Sequence, residues 1–156
     1  MTSKLIFILT NFFFLINLVN NKSTITIKIR QKGIQFILYN NFIRNESGGK
    51  YPSKVQLNGI VIPLAIYKIS IESEGENFVK LEWNETLDSI NDMFRDCVNI
   101  TEVDLSQFDS SRVTRMSGMF YNCISLTSVN FSNFNSSLIV GMGSLFYNCT
   151  SLISVN

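Results

Sequence analysis

The chain has 156 residues, a formal net charge of +1, 46% hydrophobic and 16% charged residues, and no histidine. It is apolar enough to fold as one ordinary domain or two small ones, and with no basic block to track phosphates it excludes nucleic acid as a partner. The absence of histidine excludes Ser-His-Asp and Cys-His catalysis and histidine-containing zinc sites.

The chain opens with Lys4 followed by the run from Leu5 to Val19, apolar apart from Thr10, Asn11 and Asn17. A basic start before an apolar stretch of ~7–15 residues is the layout of a secretory signal. Residues 1–20 are therefore expected to be a signal peptide, although the polar turn Asn20-Asn21-Lys22-Ser23 offers no clean small-x-small cleavage triplet. The run falls short of the ~20 apolar residues of a comfortable membrane span, so a signal anchor is the second reading. A buried strand or helix is the third. Export makes the protein secreted or cell-surface, and the Asn-x-Ser/Thr triplets headed by Asn21, Asn45, Asn84, Asn99, Asn130, Asn135 and Asn148 then become glycan acceptors in principle. Asn45 and Asn84 are the plausible ones. A chain rich in Asn, Ser and Thr also yields such triplets by chance.

From Thr24 the pattern alternates strictly, Ile25, Ile27 and Ile29 against Thr24, Thr26, Lys28 and Arg30, which predicts a half-buried strand. Ile34 to Tyr39 is a more continuous apolar run and reads as a strand buried on both faces. Asn58-Gly59, flanked by Val55, Leu57, Ile60 and Ile62, predicts a type I′ hairpin, because both turn residues must tolerate positive φ. Tyr67, Ile69 and Ile71, then Val79, Leu81 and Trp83, give the last two alternating strands. Residues 23–83 thus read as a small antiparallel β domain or cap.

Residues 84–156 carry a repeat of 26 residues. Met93-Phe94-Arg95-Asp96-Cys97 returns as Met119-Phe120-Tyr121-Asn122-Cys123 and as Leu145-Phe146-Tyr147-Asn148-Cys149. Ile100, Leu126 and Leu152 recur in phase, as do Val103, Val129 and Val155. A fixed period of this length predicts units that bury their apolar faces on one another. Leu126-x-x-Val129-x-Phe131 fits leucine-rich spacing, with a strand at 129–131, and Met116, Met119 and Phe120 fit one face of a helix. The expected fold is an α/β leucine-rich-repeat solenoid of short parallel strands and short helical turns. The β segment caps its first unit, and the strand ending at Trp83 is placed beside Val103. Cys97, Cys123 and Cys149 share one phase. Their spacing along a column leaves a neighbouring disulfide open by distance, but parallel side chains disfavour the dihedral, so they read as small buried thiols.

The string from Asp104 to Cys123, with its S-x-V-T-x-M segment Ser111 to Met116, resembles the 26-residue repeat of BspA-like leucine-rich surface proteins. The third unit departs from it at Leu138-Ile139-Val140-Gly141-Met142. The resemblance implies an exported surface protein acting in attachment to host proteins or other cells. The candidate binding face is the outward side of the repeat strands: Glu102, Asp104 and Ser106, then Ser128, Asn130 and Ser132, then Ser154 and Asn156. The expected partner is a protein or a cell-surface glycan. No acidic pair recurs at catalytic spacing and no CxxC occurs. The sequence therefore predicts a non-enzyme with no cofactor, metal or small-molecule substrate. Two other readings stand beside adhesion: a coat repeat without a defined ligand, and the N-terminal part of a longer repeat protein.

Overall fold

The alternating isoleucines of the first strand, β1 (Ser23–Ile29), put Ile25, Ile27 and Ile29 wholly out of water, and this strand becomes the centre of the molecule. The computed structural model describes residues 23–39, 50–63 and 67–156. The expected signal at 1–20 and the acceptor Asn45 lie outside the described residues. β2 (Gly33–Phe36), β3 (Lys54–Leu57), β4 (Ile60–Ile62), β5 (Lys68–Ile71) and β6 (Asn77–Trp83) follow, then β7 (Ile100–Asp104), β8 (Ser128–Asn130) and β9 (Ser154–Val155). A seven-stranded sheet runs β4-β3-β6-β1-β7-β8-β9, and β2 pairs with β5 in a separate two-stranded sheet.

The large sheet is mixed. From β4 to β7 every pairing is antiparallel, whereas β7-β8 and β8-β9 are parallel. The parallel register advances by one repeat per strand, Val103 opposite Val129 and Val129 opposite Val155. The Asn58-Gly59 hairpin joins β3 to β4 with φ of 50° and 82°, the positive values its turn type requires.

The expectation of an α/β leucine-rich-repeat solenoid with helical turns is overturned. The described residues contain no helix, and what they form is a mixed β-sheet. The reason lies in the backbone around each Met-Phe pair. Two residues per unit adopt left-handed φ: Asp92 and Asp96, Gly118 and Asn122, Ser144 and Asn148. Left-handed residues four apart interrupt any α-helix. The amides between them donate to the next unit instead of four residues back: Asp92 to Ser117 O, Phe94 to Met119 O and Asp96 to Tyr121 O, each at 2.9 Å. Gly118, Phe120 and Asn122 repeat the pattern onto Gly143, Leu145 and Tyr147. The unit is a strand, a loop and a chain of tight turns, stitched to its neighbours by backbone bonds.

Two further expectations change. β1 lies between β6 and β7, so the strand ending at Trp83 does not pair with the strand that holds Val103. β2 is not buried on both faces: Gln35 is buried and Ile34 and Phe36 are exposed, because the Gln35 amide oxygen accepts from Asn99 Nδ2 at 2.8 Å.

The core is one cluster running from β1 through Trp83 and Phe94 to Phe120 and Val129. Gly118 answers a local demand within it. Its φ is +62°, and a Cβ there would clash with Asp92 Oδ1, a carboxylate already bonded to Arg95. Ser144 fills the same phase without conflict because the residue beneath it is Gly118. Gly118→Ala is expected to destabilise the chain by about 1–3 kcal/mol through backbone strain and loss of that ion pair, read as a lowered urea midpoint.

Candidate interaction surface

The outward residues of β1, β7 and β8 alternate with the core positions of the same strands, so the sheet presents a polar face. That face carries a groove of about 310 Å³ lined by Thr26, Lys28, Phe78, Glu102, Val103, Asp104, Ser128, Val129, Asn130 and Asn156. Five of the residues expected from sequence therefore meet there: Glu102, Asp104, Ser128, Asn130 and Asn156. Ser106, Ser132 and Ser154 do not line it. The Ser106 amide donates to Asp104 Oδ1 and the Ser132 amide to Asn130 Oδ1, closing the turn that follows each strand.

The groove's polar groups hold one another in place. Lys28 Nζ lies 2.8 Å from Glu102 and 3.1 Å from Glu76, and Arg30 pairs with Glu76 at 3.0 Å. Its hydrogen bonds to Glu102 and Glu76 raise the Lys28 pKa, and hydrogen bonds from Lys28 and Arg30 lower that of Glu76. Asn130 Nδ2 donates to Asp104 Oδ1 at 3.0 Å, so adjacent units are linked side chain to side chain. Thr26, Lys28 and Phe78 were missed as lining residues because they come from strands placed there by long-range pairing; the alternation of β1 marked the first two as outward.

A second ladder runs along the turn side. Asn148 Nδ2 donates to Asn122 Oδ1 at 2.7 Å and Asn122 Nδ2 to Asp96 Oδ1 at 2.9 Å. Beside it, the Arg95 guanidinium lies 3.9 Å from the centre of the Tyr121 ring, and Tyr121 stacks on Tyr147 at 4.6 Å. Burial disfavours the charge on Arg95, but its hydrogen bond to Asp92 and the charges of Asp92 and Asp96 outweigh this and raise its pKa. These residues were visible in the Met-Phe-Arg-Asp-Cys repeat, where the eye falls on the core positions.

The ladders bear on the glycan acceptors. The amide nitrogens of Asn99, Asn130 and Asn148, the atoms a glycan would occupy, donate to Gln35, Asp104 and Asn122. Asn84 lies exposed in the bend after β6.

The three thiols are free. Cys123 Sγ donates to Phe94 O and Cys149 Sγ to Phe120 O, both at 3.0 Å, and burial pushes all three pKa values up, most strongly at Cys97 and Cys123. A thiol-reactive dye at neutral pH is expected to label Cys149 first and to reach Cys97 and Cys123 only at the rate of unfolding. Equal labelling of all three in the native protein would contradict the buried column.

Among the described residues no group of three or more carboxylates and thiols is placed to hold a metal ion. What the geometry defines is a protein of stacked 26-residue β units, closed on one side by antiparallel strands and carrying a groove of mixed polar and apolar lining over the join. Residues 74–155, more than half of the chain, match the family described as "Mycoplasma protein of unknown function, DUF285", and the chain belongs to that family. No leucine-rich-repeat or BspA family matches, which overturns the resemblance drawn from the Asp104 to Cys123 string. Leucine-rich spacing records only which positions turn inward, and a coil of turns meets it as well as a helical repeat does. No curated protein and no solved structure matches the chain.

Proposed function

We propose that this is an exported, non-catalytic surface protein that binds a protein or cell-surface glycan along the groove over β1, β7 and β8. The observation that carries the reading is the contrast between faces. Inward, the units repeat Val103, Val129 and Val155; outward, Glu102 and Asp104 give way to Ser128 and Asn130. A constant scaffold presenting varied side chains is how stacked repeats build binding surfaces. The histidine-free composition supports the non-catalytic part, and the basic-then-apolar start supports export.

The test is surface labelling of intact cells, then affinity capture with the purified chain and with Ser128→Arg and Asn156→Arg variants that fill the groove. A surface-labelled chain whose captured partner is lost with both variants supports the reading. An unlabelled chain, or capture unaffected by the variants, overturns it. A second reading, a coat component without a ligand, is favoured by the side-chain ladders at Asp104–Asn130 and Asp96–Asn122–Asn148, which tie polar groups to unit spacing. It predicts no variant-sensitive partner from host or self extracts.

A further inference from the structure

Register across the sheet sets the side chains of the groove in rows. Thr26 on β1 lies opposite Asp104 on β7, and Asp104 opposite Asn130 on β8. Lys28, Glu102 and Ser128 form the next row in the same way, with Phe78 of β6 opposite Lys28 at its end. Along each row the side chains recur at the strand spacing of ~4.7–4.9 Å.

Much of this chemistry is uncommitted. The Thr26 and Ser128 hydroxyls have no hydrogen-bond partner among the described residues. Asp104 uses only Oδ1, which accepts from the Ser106 amide and from Asn130 Nδ2. No cation among the described residues pairs with its carboxylate, whereas Lys28 is neutralised by Glu102 and Glu76. The groove thus presents hydroxyls, an amide and a free carboxylate oxygen, with negative charge in excess. Its apolar part is Phe78, 45% exposed, because the side chains of Val103 and Val129 turn inward and are buried.

Three features separate the polymers that could lie there. β1, β7 and β8 each have a paired strand on both sides, so the groove holds no free edge for a peptide to extend by its main chain. Protein interfaces are anchored by clusters of buried aromatic and apolar side chains, and this groove has a single phenylalanine on its wall. The excess carboxylate charge repels acidic sugars and other polyanions. A neutral sugar chain suits all three. Its rings carry hydroxyls at the rim and apolar C–H faces, as the groove carries both kinds of lining. Their length in a linear chain is close to the strand spacing, whereas an extended peptide repeats every ~3.4 Å.

Granted that the groove is the binding site, we propose that its ligand is a neutral linear glycan lying across β1, β7 and β8. Sugar hydroxyls donate to Asp104 Oδ2 and exchange hydrogen bonds with the Thr26 and Ser128 hydroxyls, and Phe78 packs on the C–H face of a ring at one end.

The probe is a panel of linear neutral hexasaccharides of glucose, galactose, mannose or N-acetylglucosamine, each titrated calorimetrically into the whole chain. The expected result is saturable binding of at least one of them, which the matching monosaccharide does not reproduce. Thr26→Val and Asp104→Asn should each weaken it at least about ten-fold, the effect of losing one hydrogen bond. Both substitutions keep the side chain's shape, and Asp104→Asn keeps the acceptor for Ser106 and Asn130, so unchanged thermal melting will show the fold intact. Binding that both variants leave unchanged overturns the proposal. So does silence across the panel, and Ser128→Arg then separates the causes. If it still abolishes capture of a protein partner, the groove binds protein and not glycan; if capture is unaffected as well, the groove is not the binding site.

Discussion

Replacing Phe120 with alanine is expected to destabilise the fold by about 3–5 kcal/mol, the range for removing a large buried aromatic. Phe120 is fully buried in the middle unit. Its ring stacks on Phe94 at 5.6 Å and on Phe146 at 5.4 Å, and meets the edge of Phe131 at 6.4 Å. Removal therefore opens a cavity at the contact of three successive units. The backbone bonds from Phe94 to Met119 and from Phe120 to Leu145 fix the separation of the units, so the walls cannot close over the gap.

The same substitution at Phe146 supplies the comparison. Phe146 occupies the same phase but is only half-buried, with no unit described beyond it. Phe146→Ala is expected to cost less than Phe120→Ala, because part of the ring already faces water and the cavity is open. Urea unfolding of both variants reads the difference as a gap between midpoints at similar slope. Equal losses would show that the units are stabilised singly and not by stacking.

That stacking was the legible part of the sequence. Val103, Val129 and Val155 recur without insertion, and a repeat that keeps phase leaves its strands only an in-register parallel pairing. The turns between them were not legible. Met116, Met119 and Phe120 point inward whether the backbone is helical or a run of turns, since i, i+3 and i+4 fall on the inner side in both. What separates the two is where the amides of Gly118 and Phe120 donate, and that is set by the neighbouring unit. Gln35 illustrates the same limit: its hydrogen bond to Asn99 spans 64 residues, and it turned β2 against its own apolar pattern. In the candidate groove, alternation identified Glu102, Asp104, Ser128 and Asn130 as outward. Nothing local announced that Lys28 and Phe78 would form the other wall.

Ile27→Ala is expected to cost about 2–5 kcal/mol and to lower the stability of both halves of the sheet together. Ile27 is fully buried, with Val79 opposite on β6 and Val103 opposite on β7. β1 is thus the seam where the antiparallel strands meet the parallel repeats, and its side chains belong to a core that continues unbroken to Val129. Two probes distinguish the sides in a parent carrying Tyr39→Phe, Tyr51→Phe and Tyr67→Phe, which leaves tyrosines only in the repeats. The chain's one tryptophan, Trp83, is buried at the end of β6, and the Tyr121–Tyr147 stack lies within the repeats. Tryptophan fluorescence and the near-ultraviolet tyrosine signal should move to the same lower midpoint, as a single cooperative transition requires. Val61→Ala, in the edge strand β4 and more than half exposed, should stay within about 0.5 kcal/mol of the parent. A tyrosine midpoint unmoved by Ile27→Ala would show that the repeats stand without the β1 seam, and the two halves would then be separate folding units.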